Sequence, residues 1–470
     1  MPFQISPGVN VTEIDLTTVV PAVATTQGAI AGVFSWGPVN ERYMVSSEKE
    51  LVGTYGIPND NNFETFYSAA NFLAYGNQLY VSRSGTSGTS KNSVGYTGGT
   101  AENNIYVQNE NDFLTQVDSL TGNNYYIAKY PGVFGNSLKV SVCDSANAYT
   151  SNVSVTDDST SKTANVSIAF SVGSNVASMR VQGNFSGISA TAEISANNIA
   201  NMFQVGDYLL AGNSTLGTQT LRITSIAAAV GNTGNFADVS ISLASNYTLA
   251  SNVSMVANNS TGNPTQIQRY WEYYNLVDKA PGTTPYTLSR GGAGDEMHVV
   301  VVDEDGSFTG LKNQVLEVLP ALSRATDAIG TQGGSIYYKT YINNSSKYVW
   351  AVKDRSGSAS GLASALSALN TLPMKLSFVN GADTASESVV PMADLLTAYD
   401  QFKSAEDVDV SLIIQGKARG LNNVQLANYL IENIAEYRKD CVVFVSPART
   451  DVVNTALDPT QNIVNFRNAI

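Results

Sequence analysis

The chain has 470 residues, 43% of them hydrophobic, with a formal net charge of −13 and a pI near 4.6. That length suffices for two or three domains with substantial cores, while the acidic balance argues against a nucleic-acid binder, which needs clustered Lys and Arg against phosphates. Only Cys143 and Cys441 are present, so there is no disulfide framework, and no apolar run reaches the roughly eighteen residues of a membrane helix.

Residues 1–6 carry neither a basic nor an apolar region of a secretory signal, so a soluble protein made in the cytosol is expected. Next comes Pro7-Gly8-Val9-Asn10-Val11-Thr12-Glu13-Ile14-Asp15, in which Val9, Val11 and Ile14 alternate with polar residues, and residues 16–21 continue it to Pro21 without a turn signal. A strand-competent segment with no hairpin partner cannot satisfy its own backbone groups, so it frays or pairs with a sheet edge, including the edge of another molecule. Residues 1–21 are read as an extended arm. Ser47 and Glu50 then predict a capping box before Leu51, and Phe63, Phe66, Ala70 and Leu73 recur at helical spacing. Residues 22–86 are read as the first part of a core.

Charge thins out further on. Residues 141–260 contain three basic side chains (Lys162, Arg180, Arg222) and six acidic ones in a stretch rich in Ser, Thr, Asn, Gly and Ala. Within it Val153-Ser154-Val155-Thr156, Ala164-Asn165-Val166-Ser167-Ile168-Ala169-Phe170 and Val239-Ser240-Ile241-Ser242-Leu243 alternate with period two, the pattern of short antiparallel strands in a sandwich or barrel. Residues 87–282 are read as one or two inserted β-rich modules that protrude from the core. Tyr270, Trp271, Tyr273 and Tyr274 fall near the return and suit packing between insertion and core. The N-x-[ST] triplets of this region, Asn152, Asn165, Asn213 and Asn246 among them, follow from its composition.

Residues 283–470 are read as the second part of the core. The spacing predicts a buried strand at Val299–Val302, a helix around residues 311–322, a hairpin from Ile336 to Trp350 turning at 343–346, a helix near 392–402, a strand at 410–414, a helix at 424–437 and a strand at 441–445. Continuous apolar strands alternating with helices predict a mostly parallel sheet with helices on both faces. The expected fold is thus an α/β (α+β) core interrupted by inserted all-β modules.

Catalytic groups are sparse. His298 is the chain's one histidine, no G-x-S-x-G is present, and Gly32-Val33-Phe34-Ser35-Trp36-Gly37 misses that spacing by one residue, so a serine hydrolase has no identifiable nucleophile. Asp303-Glu304-Asp305-Gly306 lacks the alternation of a calcium loop and reads as a strand end turning at Gly306. Two distant cysteines and one histidine offer no zinc cluster. Gly291-Gly292-Ala293-Gly294 precedes a strand rather than a helix, so it reads as a turn and not as a phosphate loop. No catalytic, cofactor or metal residue is assigned, and the chain is read as no enzyme.

Several strings share one resemblance: Gly28-Ala29-Ile30-Ala31-Gly32, Trp36-Gly37-Pro38-Val39-Asn40-Glu41, Tyr55-Gly56-Ile57-Pro58, the run from Phe72 to Arg83, Tyr130-Pro131-Gly132-Val133-Phe134-Gly135-Asn136-Ser137-Leu138, His298 to Gly306, and Arg438 to Pro447. In this order and spacing the chain resembles the contractile tail sheath proteins of myophages. The resemblance implies a subtilisin-like layered core and a virion structural subunit without cofactors. It implies self-assembly as hexameric rings stacked in a helical sheath around the tail tube protein, with baseplate and tail terminator proteins as further partners, no nucleic acid and no direct membrane insertion. It also implies that contraction drives the tube through the host envelope, and that terminal arms pair with neighbouring subunits. Pro7, Gly8, Val9, Val11 and Ile14 are the candidate inter-subunit strand, and Pro21 and Gly28 the candidate hinge. Against the family, residues 462–470 lie where a C-terminal domain would begin. A secreted or surface adhesin with a glycan-binding β module is the alternative, suggested by the insertion and the twenty-four tyrosines.

Overall fold

The computed structural model describes residues 26–96, 101–102, 104–120, 124–152, 155–157, 162–170, 176–182, 203–213, 217–227, 230–231, 236–243, 253–257, 268–355, 372–420, 422–455 and 458–470. The chain forms two compact units, one from residues 1–90 and 383–470, the other from residues 91–382.

In the first unit five strands, β1 (Gly28–Gly32), β2 (Arg42–Val45), β3 (Leu79–Arg83), β4 (Leu412–Ile414) and β5 (Val442–Phe444), form one sheet in the order β2-β3-β1-β4-β5. β3, β1, β4 and β5 run parallel, and β2 lies antiparallel on the β3 edge. Alternation along β1 assigns its two faces. Ala29 and Ala31 face α3 (Met392–Asp400) and α4 (Asn423–Tyr429), packing with Leu395, Ala398, Tyr399, Leu426 and Leu430. Ile30 faces the other way, into α1 (Glu48–Tyr55) and α2 (Phe63–Leu73), among Leu51, Tyr55, Phe66 and Ala69. Burial of each such Leu, Ile or Phe contributes about 1.5–3 kcal/mol, which is why small residues on one face of β1 and a large one on the other fix the register. Each helical layer also donates a tyrosine to the sheet, Tyr55 to the Val81 carbonyl at 2.8 Å and Tyr399 to the Ile414 carbonyl at 3.0 Å. Helices on both faces of a mostly parallel sheet is the arrangement the sequence predicts.

α4 continues through a π-helical turn, Leu430–Ala435, to Arg438, whose guanidinium donates to the carbonyls of Phe402, Ser404 and Val408. Two further helices follow β5, α5 (Arg449–Val452) and α6 (Pro459–Ala469). At α1 the capping box is displaced by one residue: Ser47 Oγ accepts the Glu50 amide, while the Glu50 carboxylate accepts from Ser46 instead of Ser47.

Among the described residues the second unit holds two sheets, antiparallel throughout. Seven strands run in the spatial order Gln314–Ser323, Glu296–Asp303, Leu138–Cys143, Met374–Val379, Asn92–Tyr96, Tyr126–Pro131 and Val349–Ala351. The other sheet has ten strands between residues 150 and 270, including Lys162–Phe170, Val176–Gln182, Tyr208–Asn213, Gly217–Ile226 and Phe236–Leu243. Trp271 closes the return from one to the other. Its indole donates to Ser141 Oγ at 2.8 Å, and the ring packs with Cys143, Tyr273, Val300 and Val302. Trp271 thus packs within the second unit rather than between an insertion and a separate core.

Three expectations differ from the structure. Residues 311–322 were expected to be helical, but Gln314–Ser323 is a strand, because it pairs along the whole Glu296–Asp303 strand and that ladder outweighs local spacing. The hairpin expected between Ile336 and Trp350 is a helix, Tyr338–Ser345, followed by the Val349–Ala351 strand, which pairs with Tyr126–Pro131. Asn343 substitutes for the missing hairpin partner: its carboxamide accepts the Ala351 amide at 2.7 Å and donates to the Ala351 carbonyl at 3.1 Å. Residues 283–382 belong with the second unit, since Glu296–Asp303 lies between Leu138–Cys143 and Gln314–Ser323, so the chain re-enters the first unit at Asp383 where the sequence suggested 283.

Candidate assembly surface

β5 ends the first-unit sheet and has one partner strand among the described residues. The Val442 amide donates to the Ser411 carbonyl at 2.9 Å and the Gln415 amide to the Phe444 carbonyl at 3.0 Å. In a parallel ladder the intervening residue turns its N–H and C=O to the opposite side, so Val443 offers both to the open edge. Its neighbours are apolar and uncovered. Val442 is 59% and Phe444 54% exposed, while Val443 packs into the α3/α4 core. α6 buries none of its residues and exposes Ile463 and Val464. Natural sheets blunt such edges with charge, proline or a cover, and an open apolar one is a template for another strand.

The opposite edge is exposed as well. β2 exposes Tyr43 and Met44, and Arg42 there donates to the carbonyls of Gln401 and Asp407, both at 3.2 Å.

Of the residues singled out from sequence, Pro7, Gly8, Val9, Val11, Ile14 and Pro21 lie outside the described residues. Gly28 opens β1: its amide donates to the Gln78 carbonyl at 2.9 Å, and a Cβ there would sit 2.6 Å from the Phe72 ring.

His298 lies inside the second-unit core. Its Nδ1 accepts the Ala321 amide and its Nε2 pairs with the Lys279 carbonyl, each at 2.9 Å, and burial lowers its pKa, the carbonyl at Lys279 opposing. Asp303 is fully buried. Its carboxylate accepts from Ser137 Oγ, from the amides of Gly306, Phe308 and Thr309, and from Thr309 Oγ1, so its oxygens organise the following loop. Gly306, at φ 87°, makes the turn expected there. Gly291–Gly294 is likewise a turn region, with positive φ at Gly291 and Gly294. Among the described residues no group of three His, Cys, Asp or Glu could hold a metal ion, and no helix is long and apolar enough to cross a membrane.

A charged cluster that sequence spacing did not point to joins the two sheets of the second unit. Asp207, fully buried, meets Arg269 and Lys375, each at 3.0 Å, and Glu272 meets Arg222 at 2.9 Å, Lys375 at 3.3 Å and Lys139 at 3.9 Å. Burial pushes the Asp207 pKa up against Lys375 and Arg269. At Glu272 the same burial is outweighed by Lys375, Lys139 and Arg222, and the pKa falls.

The family model described as tail sheath protein Gp18 domain III N-terminal region matches residues 28–83, which are β1 to β3 with α1 and α2. The tail sheath protein of Enterobacteria phage T4 is 26% identical over 500 aligned residues, covering 99% of this chain and 65% of that protein. The tail sheath protein of Salmonella phage ViI is 36% identical over 145 residues, covering 31% of this chain and 22% of its own length. This chain therefore spans less than two thirds of these relatives. Among solved structures, the sheath tail protein Lin1278 from Listeria innocua overlaps 95% of this chain and 56% of that one, at 11% identity and a TM-score of 0.36. That overlap is too loose to bear on the fold. The sequence matches make the chain a relative of the tail sheath proteins of myophages.

Proposed function

We propose that this chain, as a relative of myophage tail sheath proteins, is a structural subunit of a contractile bacteriophage tail sheath. The observation that carries the reading is the match to the T4 tail sheath protein along 99% of the chain. In this reading the subunits polymerise as stacked hexameric rings around the tail tube, bounded by baseplate and tail terminator proteins, and act in the virion tail without enzymatic chemistry. A metastable extended lattice relaxes to one with more buried interface, and that difference drives the tube through the host envelope.

The linkage between subunits is strand addition. Val9, Val11 and Ile14 of one copy supply an alternating strand after Pro7 and Gly8, with Pro21 and Gly28 taking up the reorientation, and an open sheet edge such as β5 supplies the kind of template it needs. Main-chain hydrogen bonds hold while the bodies of the subunits turn.

Negative-stain electron microscopy of the chain mixed with its phage's tail tubes tests the reading. Ordered rings or sleeves on the tubes are expected, and bare tubes at saturating chain overturn the structural role. A deletion of residues 7–15 is expected to stay folded and to lose the sleeves; sleeves from the deletion equal to those from the intact chain remove the arm from the mechanism.

A further inference from the structure

The sheet order reverses at β1: β3 lies on one side, β4 and β5 on the other. In open α/β sheets the crevice at the carboxyl ends of such strands is where ligands are held. Here those ends are Gly32 and Gln415-Gly416, packed so closely that a Cβ on Gly32 would meet Thr65 Cγ2 at 2.6 Å and one on Gly416 would meet Thr65 Oγ1 at 2.7 Å.

Arg419 lies in this crevice, 4% exposed. Its Nη2 donates to the carbonyls of Ser388 and Val390, whereas Nε and Nη1 are buried with no hydrogen-bond partner. No carboxylate compensates it among the described residues. Glu64 is taken by Lys417 at 2.5 Å, and Glu387 accepts the amides of Glu64 and Thr65 at 3.1 and 3.0 Å. Burial is what lowers its pKa. Arg324 and Arg355 also leave Nε unmet, but Asp144 stands beside both. A guanidinium buried without a counter-charge is costly, and in a cleft it marks a functional site.

The space beside it has the right sign and size. A cleft of about 400 Å³ is lined by Lys417, Arg419 and Arg449, with Glu64 as the acid among its lining residues. A second cavity of about 10 Å³, lined by Gly32, Thr65, Arg419 and the Glu387 already engaged by the Glu64 and Thr65 amides, has room for one oxygen atom.

We propose that this crevice is an oxyanion site, in which a phosphate or carboxylate group supplies the counter-charge that the buried Arg419 guanidinium lacks, with Lys417 and Arg449 at its mouth. Guanidinium and ammonium donors in a partly desolvated cleft bind such oxygens through charge-assisted hydrogen bonds. The group comes as a free ion or as an acidic side chain of a second copy, of which a chain of net charge −13 has a surplus.

Calorimetric titration of the 470-residue chain with inorganic phosphate and with acetate, against chloride at equal ionic strength, tests the site, and sedimentation velocity distinguishes the sources. Binding to a monomer, weakened at least about tenfold by Arg449→Ala and abolished by Arg419→Met, is the expected result for a free ion. Self-association that phosphate reverses, and that Arg449→Ala weakens by a similar factor, is expected for a neighbour's carboxylate. Arg449 is exposed, so its variant decides the matter even where Arg419→Met fails to fold. The proposal is overturned when neither ion binds more tightly than chloride and association is indifferent to Arg449→Ala, or when binding is unchanged by that substitution.

Discussion

The Nδ1 of His298 accepts the backbone amide of Ala321 at 2.9 Å, where the ladder between Glu296–Asp303 and Gln314–Ser323 slips register and Ala321 adopts a φ of 56°. A non-glycine residue in the left-handed region is held there by its surroundings, and this acceptor is one of the restraints. Nε2–H donating to Lys279 fixes the neutral tautomer that leaves Nδ1 free to accept.

Protonation would turn that acceptor into a second donor facing an amide. The folded pKa lies below the ordinary 6.5, through burial, so the unfolded chain binds the proton more tightly. Stability is therefore complete above about pH 6.5 and declines as pH falls toward and through the lowered folded value. Melting temperature measured from pH 7.5 to 5 should fall, and His298→Gln, destabilised by about 1 kcal/mol at pH 7.5, should flatten the imidazole's share of that fall. The chain has one histidine, so no other imidazole contributes. An unchanged slope in the variant would count against this assignment.

Lys375 bridges Asp207 and Glu272, at 3.0 and 3.3 Å. Lys375→Met leaves buried carboxylate charge short of a partner and should cost about 3–5 kcal/mol by urea denaturation, whereas breaking an exposed pair such as Lys312–Asp305 should cost less than about 1 kcal/mol. Equal costs would deny the cluster its role between the sheets.

Val443 directs its amide away from β4, so Val443→Pro removes no bond of the β5 ladder while blocking addition of a further strand. Stability should change by about 1 kcal/mol or less, and assembly that uses this edge should stop. Sedimentation and electron microscopy of the variant beside the parent decide it: intact assembly would place the joint elsewhere.

Gly28→Ala forces a Cβ into the Phe72 ring. The expected cost is about 1–3 kcal/mol in thermal unfolding, and Phe72→Leu in the same chain should recover part of it. Full additivity of the two substitutions would mean that the clash is not the cause.

The first-unit helices and later strands were legible because their signals are local and agree with the fold: Phe66 and Ala70 recur at helical spacing, and Leu412–Ile414 is uniformly apolar. Gln314–Ser323 was not, because Leu316, Leu319 and Leu322 fit a helical stripe until the partner strand is known. Exposure of Val442 and Phe444 was equally hidden, since an apolar parallel strand reads the same at the edge of a sheet as at its centre. The Arg419 crevice depends on strand order and on residues from 32 to 454, which no window along the chain brings together.

Gln27 and Ser411 bond to one another across 384 positions of sequence. On the ribosome, β1 and β3 therefore emerge long before β4, and at elongation speeds of about 5–20 residues per second the wait is roughly 20–80 s. Throughout that interval the strands already made leave β1 as an open sheet edge, and residues 91–382 are synthesised before β4 can cover it. Newly made copies on one polysome are thus at risk of donating β4 to each other, and slowing translation beyond Asp383 would lengthen the exposure.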